Sequence, residues 1–397
     1  MSVYPKIYLA IDNCFASKRW TRPNEWMNIV RDLGLEYIEA SADTEADPLY
    51  CGEEYFSDWI GEVAEAEKRT SAKVANLYSG HGSYATLGLG HTDQRVRRRI
   101  LEKWIKPMLR AARRLRAGLG FYCNAFPDSV LQNPEAYANA IEQMYGGLSE
   151  IATYASELGG VVVSVEQMYS PHQVPWTISG ARELLAEIYR RSDAPLYVTI
   201  DTGHQTGQAG YARPSMASLE QLLRDVAASG NLHTVWLGPE SAFELAKRVS
   251  SESGRIARPA ISKLTCTMDR YPYLFSNPED SDTYGWLRTL GGHSPIVHLQ
   301  QVIGQSSSHL PFTKTSNEKG LIDGSIILRS LADAYREPPA GGLPPRAGAI
   351  YLTLEIFAGA AERPREILAK LQESVDYWRK FVPRDGTRLD ELIEDGR

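Results

Sequence analysis

Eight short apolar runs, each closing on polar residues and each followed by a helical pattern, set the limits on what this chain can become. In order they are IYLAIDN (7–13), LEYIEAS (35–41), KVANLYS (73–79), GLGFYCN (118–124), VVVSVEQ (161–167), PLYVTID (195–201), PIVHLQQ (295–301) and IYLTLEI (350–356). Between them lie amphipathic stretches such as 25–33, 55–68, 95–116, 136–158 and 181–190, with apolar residues at three- and four-residue spacing. Strands apolar almost throughout are buried on both faces, as in a parallel sheet covered by helices. Eight such units predict a single α/β domain over 1–397, a closed (β/α)8 TIM barrel, and 397 residues suit one with added loops.

The sixth run starts at 195 and the seventh at 295, an interval about twice the usual one. The excess is read as an insertion of about 205–292 over the barrel mouth, where loops carry function. It holds helical segments at 216–228 and 242–250, then the aromatic stretch RYPYLFSNPEDSDTYGWL (270–287). Those aromatics, Tyr271 to Trp286, are expected to be exposed as a lid or as the contact of a homo-oligomer. The Pro/Gly-rich EPPAGGLPPRAG (337–348) reads as a surface connection.

Charge narrows the partners. Lys+Arg 43 against Asp+Glu 49 gives a net −6, which supplies no field to attract nucleic acid or an anionic membrane surface. The RRR of Arg97–Arg99 sits at helical spacing among apolar residues, as on a solvated helix face. Cys14, Cys51, Cys123 and Cys266 form no CxxC pair, which suits a reduced protein. With no leader-like start and no apolar run of membrane-spanning length, the expected location is cytoplasmic and the expected partner a small molecule.

In such a barrel the chemistry projects from the C-terminal strand ends. Strand five ends in Glu166, strand six in Asp201, strand seven carries His298 and strand eight Glu355. Three carboxylates at neighbouring buried positions repel one another unless a cation lies among them. With one imidazole they make a hard to borderline donor set, favouring one divalent ion: Mn²⁺ first, with Mg²⁺, Co²⁺ or Zn²⁺ as alternatives. His204, three residues past Asp201, His172, six past Glu166, and Gln300 are candidate substrate contacts. Ser306, Ser307 and His309 follow strand seven, where phosphate sites form in these barrels, with Lys314 or Lys319 as supporting cations. Asn13, Lys18, Tyr78, Ser79 and His81 read mainly as turn or cap residues, and the pattern places Glu39 and Asp43 in the open, too exposed for a second ligand set.

The VEQ, IDTGH, VHLQQ and LEI segments resemble those of the xylose-isomerase-like superfamily, which includes sugar isomerases and epimerases and endonuclease IV relatives. The resemblance to its ketose 3-epimerases implies a metal held by Glu166, Asp201, His298 and Glu355. The stretch 283–313 looks like members acting on small phosphorylated ketoses, among them tetrulose-phosphate racemases. The long insert and the lack of a clear substrate-binding Arg depart from the short epimerases.

The resemblance, with these residues, implies an isomerase, epimerase or racemase of a small ketose or ketose phosphate. Proton transfer through an enediolate would use Glu166 and Glu355 as the acid/base pair. An aldose–ketose isomerase working by hydride shift is the alternative. An endonuclease IV-like nuclease, disfavoured by eight histidines and net negative charge, and a non-catalytic sugar-binding barrel rank lower.

Overall fold

The computed structural model describes residues 4–41, 45–79, 88–123, 125–229, 235–252, 258–338 and 341–394; His81, Asp43 and the side chain of Ser306 lie outside the described residues. Each apolar run becomes a strand: β1 (Lys6–Asp12), β2 (Tyr37–Ser41), β3 (Lys73–Ser79), β4 (Gly118–Phe121), β5 (Val163–Glu166), β6 (Tyr197–Asp201) and β7 (Ile296–Leu299). After β7 come β8 (Gln301–Ile303) and β9 (Ser306–Leu310), an antiparallel hairpin. The last barrel strand, β10 (Ala349–Leu354), pairs in parallel with both β7 and β1, with Lys6 opposite Ala349 and Ile11 opposite Leu354. The eight parallel strands therefore close into a TIM barrel, and β11 (Thr387–Arg388) adds a short antiparallel edge to β1.

The helical ring comprises α1 (Pro23–Asp32), α2 (Glu53–Thr70), α3 (Gln94–Ile100) running through a π turn at Leu101–Ile105 into α4 (Lys106–Leu115), α5 (Pro134–Glu157) and α6 (Ile178–Ser192). Pro107, at the start of α4, has no N–H to return to the preceding turn, and the helix is widened just there. Between β6 and β7 run α7 (Met216–Ser229), α8 (Glu240–Glu252), α9 (Arg258–Asp269) and α10 (Thr283–Leu290); α11 (Gly324–Arg336) and α12 (Pro364–Trp378) complete the ring. Trp26, Trp286 and Trp378, on α1, α10 and α12, are fully buried between helices and barrel.

Helix α10 packs against α6 and α11, so it occupies an ordinary place in the ring, and the added material is α7 to α9 with their connections. The expectation of an exposed aromatic stretch is corrected here. Tyr271 and Phe275 are buried, Trp286 is sealed with its indole N–H donating to the Asp280 carbonyl at 2.8 Å, and Tyr273 stacks on Tyr137. These rings dock the insertion onto the loops after β4 to β6: Tyr273 donates to the Leu131 carbonyl, and Asp280 accepts from the Ile178 N–H. No described helix is long and apolar enough to cross a membrane.

Candidate metal and active site

Strand periodicity sends alternate residues inward. In many barrels that lumen is filled by Val, Ile and Leu. Here it is polar: Ser164 and Thr199 share a hydrogen bond at 2.7 Å, and Asn76 of β3 donates to Glu39 of β2 at 2.5 Å. One layer higher, towards the strand C-termini, stand Tyr78, Glu166, Asp201, His298 and Glu355.

Oxygens of Glu166, Asp201 and Glu355 and a ring nitrogen of His298 all lie within 4.8 Å of one another, and all four residues are buried. His298 Nδ1 faces Glu166 Oε1 at 2.9 Å, and Nε2 faces Glu39 Oε1 at 2.6 Å. The Tyr78 hydroxyl donates to the second oxygen of Glu166. Asp201 uses one oxygen, Oδ1, to accept the N–H groups of Gly203 and His204 and the amide of Gln300. Its Oδ2 and the Oε2 of Glu355 are buried with no hydrogen-bond partner. The latter lies 3.3 Å from His298 Nδ1 but outside hydrogen-bonding alignment.

The electrostatics are one-sided. Asp12, at the end of β1, and Glu39 bring the buried carboxylates of this cluster to five, and among the described residues no Lys or Arg pairs with any of them. Burial, then Glu39 and Glu355, push Asp12 well above the usual carboxylate range. Burial also works against ionising Glu166 and Asp201, yet the imidazoles outweigh it and hold both below that range, His298 leading for Glu166 and His204 for Asp201. Burial disfavours a charged ring at His298 and His309, but the carboxylates overcome it; Glu355 leads, and His309 is pushed up to about 9. Two orphaned oxygens aimed into a cluster of excess negative charge fit a divalent cation, with Glu166, Asp201, His298 and Glu355 as the donors.

Not every candidate reaches this cluster. His204 does: Nδ1 is fixed on the Gln167 carbonyl at 2.7 Å, and Nε2 is 3.8 Å from Asp201. His309 also arrives, its Nδ1 3.4 Å from Glu355 and its ring against the half-exposed Phe357. Gln300 braces the site from the mouth side, its amide bridging Asp201 and Ser307 while its carbonyl accepts the His309 N–H. A Cβ on Gly203 would stand 2.4 Å from that side chain, so the close approach needs glycine. His172 is held instead on the Phe126 carbonyl at 2.7 Å. Lys314 and Lys319 are exposed.

Glu39 is a correction. It is 1% exposed and bonded to His298, where the sequence pattern placed it in the open. Asp12 and Asn76 are further site residues that strand-end reasoning passed over. Both sit on inward positions of strands already identified, so the two-residue period was the signal available.

A cavity of about 390 Å³ lies at the opposite, N-terminal end of the barrel, lined by Arg113, Arg116, Gly160, Tyr197 and Tyr351 among others. Its arginines close the C-terminus of α4, where a cation is favoured by the helix dipole.

Comparison with known proteins agrees with this fold. The profile of the xylose isomerase-like TIM barrel family matches residues 27–235. The D-erythrulose 1-phosphate 3-epimerase of Brucella abortus is 32% identical over 107 residues, 27% of this chain and 31% of its own, so the match spans under a third of that relative. A provisionally named xylose isomerase of Rhodospirillum rubrum superposes with a TM-score of 0.66 at 18% identity, covering 94% of this chain and 99% of the other. For the D-psicose 3-epimerase of Clostridium cellulolyticum H10, bound to D-tagatose, the values are 0.53, 12%, 94% and 98%. Likeness at these identities speaks for the fold.

Proposed function

The chain belongs to the xylose isomerase-like TIM barrel family, and from that premise we propose that it is a divalent-cation-dependent isomerase of the epimerase or racemase kind, acting on a small ketose or ketose phosphate. The observation that carries this reading is the ring of Glu166, Asp201, His298 and Glu355 with two buried oxygens lacking partners. Mn²⁺ is the favoured ion on donor chemistry.

When bound, the cation supplies Lewis-acid polarisation of a substrate carbonyl, which acidifies the neighbouring C–H. The remaining work falls to side chains. Glu166, fixed by Tyr78 and His298, and Glu355, with its partnerless Oε2, are the acid/base pair. One takes a proton from the carbon and the other returns one to the opposite face, inverting the centre. His204, locked through Nδ1 so that Nε2 faces the cluster, holds a substrate oxygen; His309 and Phe357 wall the mouth. The name of the Brucella relative supports a phosphorylated four-carbon ketose as the first substrate to try.

Metal analysis of the purified protein, followed by NMR of C4 to C6 ketoses and their phosphates in D2O, tests the reading. One tightly held divalent ion with deuterium entering at the inverted carbon is expected. Turnover without exchange at any carbon would point to a hydride shift, and a metal-free protein without turnover would end the proposal.

A further inference from the structure

The acid/base reading leaves Glu39 and Asn76 unused, although both sit directly beneath the cluster. Between β2 and β3 the ladder skips a residue: Ile38 faces Val74, but Glu39 faces Asn76, leaving Ala75 unpaired. A bulge of this kind re-aims side chains. Here it sets the amide of Asn76 against Glu39 Oε2 at 2.5 Å while Oε1 meets His298 Nε2 at 2.6 Å. Both carboxylate oxygens are thereby engaged. The neighbouring strand makes room for the amide, since a Cβ on Gly118 or Gly120 would stand 2.6 Å or 3.0 Å from its terminal atoms. The edge-on ring of Tyr78, centred 5.2 Å from that of His298, closes the other side.

We propose that Glu39, held by Asn76, is a positioning residue that keeps the proton of His298 on Nε2 and so presents Nδ1 to the other three donors. The proposal rests on the reading of those four groups as a cation site. A neutral imidazole carries one proton, and a carboxylate at one nitrogen decides which nitrogen is left with a free lone pair. An anionic acceptor also makes the ring a better donor to a cation, a role that a packing residue would not have. A buried carboxylate with no Lys or Arg beside it is costly to keep unless it performs such a task.

The test is calorimetric titration of Mn²⁺ alone into the metal-free full chain and its Glu39→Gln variant, with thermal midpoints of both measured without metal. Gln keeps the shape but loses the charge, and it can turn its NH2 as readily as its carbonyl towards Nε2, so it no longer fixes the ring proton there. The expected result is Mn²⁺ binding weakened about 10- to 100-fold with no fall in the metal-free midpoint, and a shift in the visible bands of the Co²⁺-loaded variant. Affinity within twofold of the parent would overturn the role of Glu39 while leaving the cation site standing. A parent chain that binds no Mn²⁺ would overturn both. Should Glu39→Gln lower the metal-free midpoint, Asn76→Ala decides: several-fold weaker binding supports the role, and parental affinity overturns it.

Discussion

Glu355 is the residue on which the proton-transfer reading bears hardest, because it offers an oxygen to the cluster and faces the mouth beside His309. Glu355→Gln keeps its shape and removes both a ligand charge and a group able to exchange protons. Turnover should fall by at least about 10²-fold, the usual contribution of a placed acid or base. The variant should still fold cooperatively, since Gln keeps the shape and the lost charge is repelled by Asp12 as well as paired with His298 and His309. Parental kcat in a well-folded variant would remove Glu355 from the reaction. That it stands beside Glu166, Asp201 and His298 was legible in the sequence, because ligand-type side chains closing successive apolar strands must meet at one end of a closed barrel. Glu39 was not legible in the same way. In YIEAS a glutamate between apolar residues looks like ordinary alternation with solvent, and only closure of the ring turns that face into a lumen.

The β8–β9 hairpin follows β7 directly at this mouth. It places Ser307 against the Gln300 amide and His309 against Glu355, with His309 itself at a positive φ of 46° that tightens the turn of the strand over the site. The pairing of the serine-rich run with β8 across two residues of turn could not be inferred from SSSH, which carries no alternation. If the hairpin holds a phosphate, Ser307→Ala removes one hydroxyl donor to a charged oxygen, a contact of about 1.5 kcal/mol. The KM for a phosphorylated ketose should then rise about tenfold while that for the unphosphorylated sugar stays level; equal rises for both substrates would dismiss phosphate recognition here. The helical segments predicted at 216–228 and 242–250 stand at Met216–Ser229 and Glu240–Glu252. The aromatic stretch after them was misjudged because amphipathic aromatic sequence looks the same whether it faces solvent or docks on the barrel, and only Tyr273 on Tyr137 and the sealed Trp286 distinguish the two.

Across the whole molecule, the eight-unit order was readable because each strand is short, apolar and separated by a helix, whereas closure depends on β1 meeting β10 from the far end of the chain. Stability of the assembled ring has a readable acid limit at His293, which links α10 to β7. Its ring is 6% exposed, its Nδ1 has no partner, and burial together with Arg346 and Arg182 pushes its pKa down to about 4. An unfolded histidine titrates near 6.5, so the folded state prefers the neutral ring. The contribution is complete above pH 6.5 and is lost as pH falls towards 4, because the unfolded chain then binds a proton that the folded chain resists. Allowing for solvent reaching part of the ring, the loss is about 2 kcal/mol. His293→Asn, which cannot take up that proton, should flatten the fall in denaturant midpoint between pH 6.5 and 4 relative to the parent. Parallel pH curves for the two proteins would show that the acid limit of the barrel lies elsewhere, in the carboxylate cluster at its mouth.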